Sequence, residues 1–173
     1  TDELPHEQFD LVTCQQAIAF FSDRKAAAER MSEALGHEGR AVASAWEGLD
    51  RHPLYRALCT AEARYLDMPL EVVARPFSLG DGEQLREIFE SAGFGSVEVH
   101  KRTHEVRFPD PGRFATLTLL AAASIIPESE MDAEARSTMV ETIRAEVDEV
   151  LEEYVDGDEV AFPMWAHIAV AHQ

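Results

Sequence analysis

The apolar positions of this chain change period repeatedly, and each change marks an element. Phe9 to Cys14 (FDLVTC) is a short apolar run bounded by polar residues, the pattern of a buried strand. From Asp23 the spacing lengthens. Asp23 is placed to cap a helix, the Ala-rich stretch from Lys25 to Leu35 favours one, and Ala27, Met31, Ala34 and Leu35 give it one apolar face. Gly36 and Gly39 end it. Arg40 to Trp46 (RAVASAW) is small and apolar on both faces, as a strand covered on both sides is. Strand, helix, glycine turn and strand make one right-handed βαβ unit.

The remaining pattern predicts an amphipathic helix over His52–Tyr65, with Leu54, Leu58, Ala61 and Tyr65 at helical spacing. Asp67 to Pro76 reads as loop. Asp81 is placed to cap a helix from Glu83 to Ala92 that Gly93 stops. Ser96 to Phe108 is a long strand broken by Pro109 and Pro111. Arg113 to Ile126 is helical, Pro127 interrupts, and Asp132 to Tyr154 is a long acidic helix with Met139, Ile143, Val147 and Leu151 facing inward. Asp156-Gly157-Asp158 turns the chain into a last strand, Glu159–Ala171, where Pro163 predicts a bulge or strand end. No repeat, low-complexity tract or linker divides the 173 residues, so residues 1–173 read as a single domain.

Charge changes the picture most. Asp and Glu number 33 against 15 Lys and Arg, a net charge of -18, and Lys25 and Lys101 are the two lysines. Such a surface repels phosphate backbones and anionic lipid, which argues against nucleic-acid and membrane-surface partners. The Arg bias and the carboxylate excess favour adaptation to molar salt over an ordinary acidic cytoplasmic protein, because salt screens self-repulsion. The longest apolar run, Leu117–Ile126, is too short to span a bilayer. Cys14 and Cys59 belong to no CxxC pair, so no zinc ribbon or redox motif is expected, and a reducing, cytoplasmic compartment is. His100 and His104 would suit a metal on a helix; in a strand they read as a solvated face, and no metal site is expected. His167, among apolar neighbours, reads as a satisfied core residue. The carboxylates of Glu128 to Glu153 read as a solvated helix face, and no catalytic Ser/His/Asp order or phosphate loop is visible.

Several short segments, taken in order, resemble a known family. They are Leu4-Pro5-His6 before the first strand and Phe9-Asp10 at its start. Cys14-Gln15-Gln16 through Phe20-Phe21-Ser22-Asp23 follow, then the turn Leu35-Gly36-His37-Glu38-Gly39. Pro76–Asp81 (PFSLGD), Ala92-Gly93-Phe94, Val106–Pro111 (VRFPDP) and Ala161–Met164 (AFPM) complete the series. Together the order and spacing are similar to the C-terminal portion of a class I S-adenosylmethionine-dependent methyltransferase, of the ubiquinone/menaquinone (methyltransferase type 11-like) branch, entered at its fourth strand. The resemblance implies an α/β, Rossmann-like fold with about four strands in a mixed sheet and flanking helices. Their family order would be fourth, fifth, seventh, sixth.

The same resemblance implies roles. Cys14, Gln15 and Gln16 would meet the amino-acid end of S-adenosyl-L-methionine, since ligands of open α/β sheets lie beyond the carboxyl ends of strands. Phe20, Phe21 and Trp46 would border a small-molecule methyl acceptor. Pattern alone also allows Phe20, Phe21 and Trp46 to be core aromatics. No catalytic acid or base is assigned, because methyl transfer is an in-line displacement in which positioning carries much of the rate.

By the same resemblance the first three strands, with the Gly-rich loop and the ribose-binding acid, would precede Thr1. This chain alone is therefore expected to bind S-adenosylmethionine weakly or not at all and to be inactive alone. The 9–14 strand would expose an apolar edge, which predicts a homodimer through that edge or pairing with a missing N-terminal segment. The alternative function is a truncated, non-catalytic paralogue that serves as an oligomerising or binding module.

Overall fold

A computed structural model describes residues 8–123 and 131–173. The expectations for Leu4-Pro5-His6, for the end of the 113–126 helix, for Pro127 and for Glu128 lie outside the described residues. In chain order the elements are β1 (Phe9–Gln15), α1 (Arg24–Glu33), β2 (Leu35–Trp46), α2 (Pro53–Tyr65), α3 (Leu70–Val73), α4 (Gly82–Ser91), β3 (Ser96–Pro109), α5 (Pro111–Ala123), α6 (Ala133–Glu152), β4 (Val155–Asp156) and β5 (Glu159–His172). The fold is α/β, a mixed sheet with flanking helices, as expected. Two expectations need correction. Gly36 and Gly39, read as the turn that ends α1, lie within β2. Asp67–Pro76 is not plain loop: it holds the short α3 and a 3-10 turn at Arg75–Phe77.

The predicted caps form. Asp23 accepts a bond from the Ala26 amide at 2.8 Å, Asp81 from Glu83 at 3.0 Å, and Asp132 from Ala135 at 2.9 Å. Each carboxylate thus satisfies one orphan amide of a first helical turn. Pro53 opens α2 at a position where its missing N–H costs nothing.

Sheet order is β1-β2-β5-β3, with the two-residue β4 paired to β5. β1 runs parallel to β2, with Val12 opposite Ala41 and Gln15 opposite Ser44. β5 runs antiparallel to β2, from Arg40 opposite His172 to Trp46 opposite Ala166. The last strand has entered the sheet between β2 and β3, the order implied by the resemblance.

Chain contacts group the residues into two compact units, and β3 and β5 contribute to both. The first comprises residues 1–51, 75–103 and 165–173. Its core is built on alanines: Ala41, Ala43 and Ala45 of β2 and Ala169 and Ala171 of β5 are buried, and short side chains let Ala28 of α1 and Leu85 and Phe89 of α4 pack onto the sheet. Phe89 meets Phe94 edge-on at 5.5 Å. The second comprises residues 52–74 and 104–164. There α6 packs against α2 and α5, burying Met139, Ile143, Val147 and Leu151 on the stripe read from the sequence. Tyr55, Phe114 and Phe162 form an aromatic cluster with centroids 5.2 to 6.4 Å apart.

The strand whose apolar run reads as buried, and which the resemblance implied would expose an edge, is an edge strand among the described residues. β1 pairs on one side, with β2, and Phe9 and Leu11 are 41% and 47% exposed. An apolar sequence sets which residues prefer burial; it does not supply the neighbour that covers them.

Candidate functional site

The carboxyl ends of the parallel strands β1 and β2 lie side by side, where α/β sheets take ligands. At the end of β1, Gln16 adopts a left-handed conformation, φ 53°. Its amide turns back to donate to the Ser44 carbonyl at 3.1 Å and lies 3.2 Å from the Ser44 hydroxyl. A non-glycine residue held in that conformation is strained, and such strain gathers at functional sites. The Gln16 Oε1 is buried and has no hydrogen-bond partner among the described residues.

Beyond it, Ile18–Phe20 forms a 3-10 turn anchored by fully buried Ile18. Two arginines clamp this turn by its carbonyls. Arg24 donates to Ala19 O at 3.2 Å and Arg75 to Phe20 O at 2.8 Å. The clamp leaves Phe20 and Phe21 49% and 46% exposed, so neither is a core aromatic.

Alongside β1 and α1 runs an open cavity of about 460 Å³. Val12, Cys14, Phe21, Ala27 and Met31 line it, with Asp23 and Arg30 among its polar residues. Of the six residues singled out in the sequence, it brings together Cys14 and Phe21. Gln15 is exposed, Phe20 points elsewhere, and Trp46 is half-buried on the far face of β2 from Ala45. Burial pushes the Cys14 thiol above its ordinary range, against the opposing effect of hydrogen bonds from the Ala17 and Ile18 backbone. It is a poor nucleophile and a plausible wall.

A second group at the same end of the sheet went unrecognised in the sequence. Glu47 follows β2 directly, and its amide continues the ladder to Trp165 O at 2.9 Å. It is 4% exposed, and His167 on β5 is 1% exposed. His167 Nε2 lies 3.1 Å from the Gly80 carbonyl and 3.9 Å from Glu47 Oε1. Arg51 Nε reaches Glu47 Oε2 at 3.5 Å and stacks over the Trp165 ring at 4.5 Å. Lys101 Nζ is 3.6 Å from Glu47 Oε1. Glu47 Oε1 and His167 Nδ1 are buried without a hydrogen bond among the described residues. His167 is therefore a core residue, but not a satisfied one, which corrects the reading from sequence. A lone Glu after an apolar strand gave no signal, because its partners come from residues 51, 101 and 167.

Among the described residues no group of three or more His, Cys, Asp or Glu could hold a metal ion, and no helix is long and apolar enough to cross a membrane. His100 sits 3.4 Å from Glu98, and His104 is exposed.

No protein-family model matches the chain, and no curated protein matches it. Among solved structures, it is similar to a candidate methyltransferase from Bacillus halodurans C-125, with 13% identity and a TM-score of 0.49 over 98% of this chain and 67% of that one. It is similar to the YcgJ protein of Bacillus subtilis at 15% identity and a TM-score of 0.49, covering 100% of this chain and 67% of that one. The phosphoethanolamine N-methyltransferase 2 of Haemonchus contortus, solved with phosphomonomethylethanolamine and S-adenosylhomocysteine, gives 18% identity and a TM-score of 0.43. That match covers 98% of this chain and 35% of the Haemonchus chain.

Proposed function

We propose that this chain is the acceptor-side portion of an S-adenosylmethionine-dependent methyltransferase acting on a small molecule. One observation carries the reading. The sheet is ordered β1-β2-β5-β3, with β5 inserted antiparallel to β2 beside a parallel β1–α1–β2 unit. That is the order the sequence resemblance calls for.

The residues present fit part of the methyl donor. The buried, unpartnered Gln16 Oε1 suits a donor such as an amino group, and Cys14 with Phe21 offers an apolar wall. The donor supplies a methyl group on a sulfonium sulfur. The chain's own part is to hold the acceptor in line and exclude water, through the clamped 18–20 turn and the Cys14 wall. Among the described residues lining the cavity the one carboxylate is Asp23, whose Oδ1 caps α1.

The test is photo-cross-linking of tritiated S-adenosylmethionine to the protein purified from its native cell, followed by peptide mapping. Label on the segment 14–21 is expected. Absence of label anywhere on the protein overturns the reading.

The exposed β1 edge favours a second reading, self-association. Phe9 and Leu11 are each more than 40% exposed beside the open cavity. An uncovered apolar edge is a template for strand pairing. Sedimentation equilibrium is expected to give twice 19.3 kDa for the chain alone, and Leu11→Lys to halve it. A monomeric wild type removes this reading.

A further inference from the structure

The self-association reading leaves open which surface two copies share. We propose that the sheet of the first unit meets a second copy of this chain face to face, through the side that α1 and α4 leave uncovered. Such a pair presupposes the self-association reading and is independent of methyl transfer.

Side chains alternate across a strand. On β2, Ala41, Ala43 and Ala45 turn to one face, and β5 adds Ala169 and Ala171 to it. Ala28 of α1 and Leu85 and Phe89 of α4 pack on that alanine face, so neither helix lies on the other. The other face carries the larger side chains. They are Val42, Ser44 and Trp46 of β2, Ile168 and Val170 of β5, and Leu11 of β1. The five from β2 and β5 are half-buried, and Leu11 is 47% exposed. A sheet face that meets water alternates to polar residues. Here the covered side is small, and the uncovered side is large and mostly apolar.

Charge selects the occupant. Between Arg40 and His172 at one end and Trp46 and Ala166 at the other, β2 and β5 place no ionisable side chain on this face. Val97 and Val99 of β3 turn to the alanine side, which leaves Glu98 and His100, 3.4 Å apart, as a polar border. In a chain of net charge -18 most of the surface repels a second copy, and an uncharged face is where two copies can approach. A cationic partner gains nothing from a face without carboxylates.

The size fits a reversible contact. Four strands about 4.8 Å apart, and the stretch Arg40–Trp46 at about 3.3 Å per residue, span roughly 20 Å by 23 Å, or about 450 Å² a side. Two sides together remove roughly 900 Å², the range of weak, transient pairs. Stacked sheets lie about 10 Å apart, a spacing at which the β-branched rows of Val42, Ile168 and Val170 interdigitate with their own copies. The same patch then serves both partners, as a twofold contact requires.

Edge pairing would use backbone instead. The Gln16 amide donates to Ser44 O, so alternation turns the Thr13 N–H away from β2 to the open edge. Leu11 borders both surfaces, so other positions must separate them. Thr13→Pro removes an edge donor and adds no charge, whereas Ile168→Lys puts a charge in the middle of the face.

Sedimentation equilibrium of the chain measures the dimer Kd. Because salt screens the repulsion between copies, Kd is expected to fall by about tenfold or more between about 0.1 and 1 M KCl. Ile168→Lys is expected to raise Kd by about tenfold or more, and Thr13→Pro to leave it within about threefold. If Ile168→Lys fails to fold, Ser44→Lys, at the position paired with Ile168, replaces it. In the 15N-labelled wild type, the Trp46 indole N–H signal is expected to shift on dilution and the Trp165 signal, on the alanine face, to stay. A static Trp46 signal, a Kd that rises with salt, or a dimer that Thr13→Pro abolishes and Ile168→Lys spares overturns the face contact and leaves self-association standing. A monomer at every salt concentration removes both. Protection of Trp46 by a different polypeptide, in the protein purified from its native cell, gives the face to that partner and overturns the proposal.

Discussion

Gly80→Ala tests how the loop before α4 is held. Neither Gly48 nor Gly80 has a side chain, and their backbones touch: a Cβ on Gly80 would lie 2.8 Å from both Gly48 Cα and Gly48 N. Carbon contacts prefer about 3.5–4.0 Å, so the loop must move by roughly 1 Å. Overpacking of this kind costs about 1–3 kcal/mol. The same movement draws Gly80 O away from His167 Nε2, now 3.1 Å distant, and weakens a buried hydrogen bond worth about 1 kcal/mol. Reduced freedom of the unfolded chain returns about 0.4–1 kcal/mol. The net expectation is a loss of about 2 kcal/mol. Urea denaturation reads it: with a slope of about 2 kcal/mol/M, the midpoint falls by about 1 M at unchanged slope. Gly36→Ala is the control, since its Cβ would meet nothing nearer than 3.8 Å, and its midpoint is expected within about 0.3 M of wild type. Equal midpoints for the two variants would refute the argument that backbone contact, rather than glycine content, sets the cost.

Three further outcomes are expected. Glu62 on α2 is buried, and desolvation pushes its carboxyl up to about 7. The folded state therefore favours the protonated acid, and its stability falls as pH rises from about 4.3 to 7. Glu62→Gln is expected to be close to wild type at pH 4 and more stable by about 1–3 kcal/mol at pH 8, as measured by urea melts; a difference independent of pH would refute this. Burial beside Glu62 pushes the Cys59 thiol up to about 12, so native protein is expected to react with a thiol reagent at Cys14 first, as peptide mapping would show, with Cys59 modified only on unfolding. The net charge of -18 predicts that the melting temperature rises between low and molar KCl; a flat or falling curve removes the case for salt adaptation.

Much of the local structure was legible because its causes are local. Asp23, Asp81 and Asp132 were readable as caps, since a carboxylate needs only the next turn's amides to act. The stripe Met139, Ile143, Val147 and Leu151 was readable because helical spacing alone puts it on one face. The break between α1 and β2 was less so. Gly36 and Gly39 were read as a turn, but strand pairing extends back through them to Leu35. Asp67–Pro76 was read as loop because neither α3 nor the turn after it is long enough to show a period.

The chain's own sequence therefore determined most of its elements, its caps and the βαβ unit, and the resemblance implied the strand order. Tertiary structure alone decided two matters. It drew Gly36 and Gly39 into β2, because a strand extends as far as a neighbour pairs with it. It also assembled Glu47, Arg51, Lys101 and His167, because residues scattered over more than a hundred positions meet only when β5 inserts beside β2. Burial and electrostatic pairing are properties of that meeting, and no window of sequence contains them.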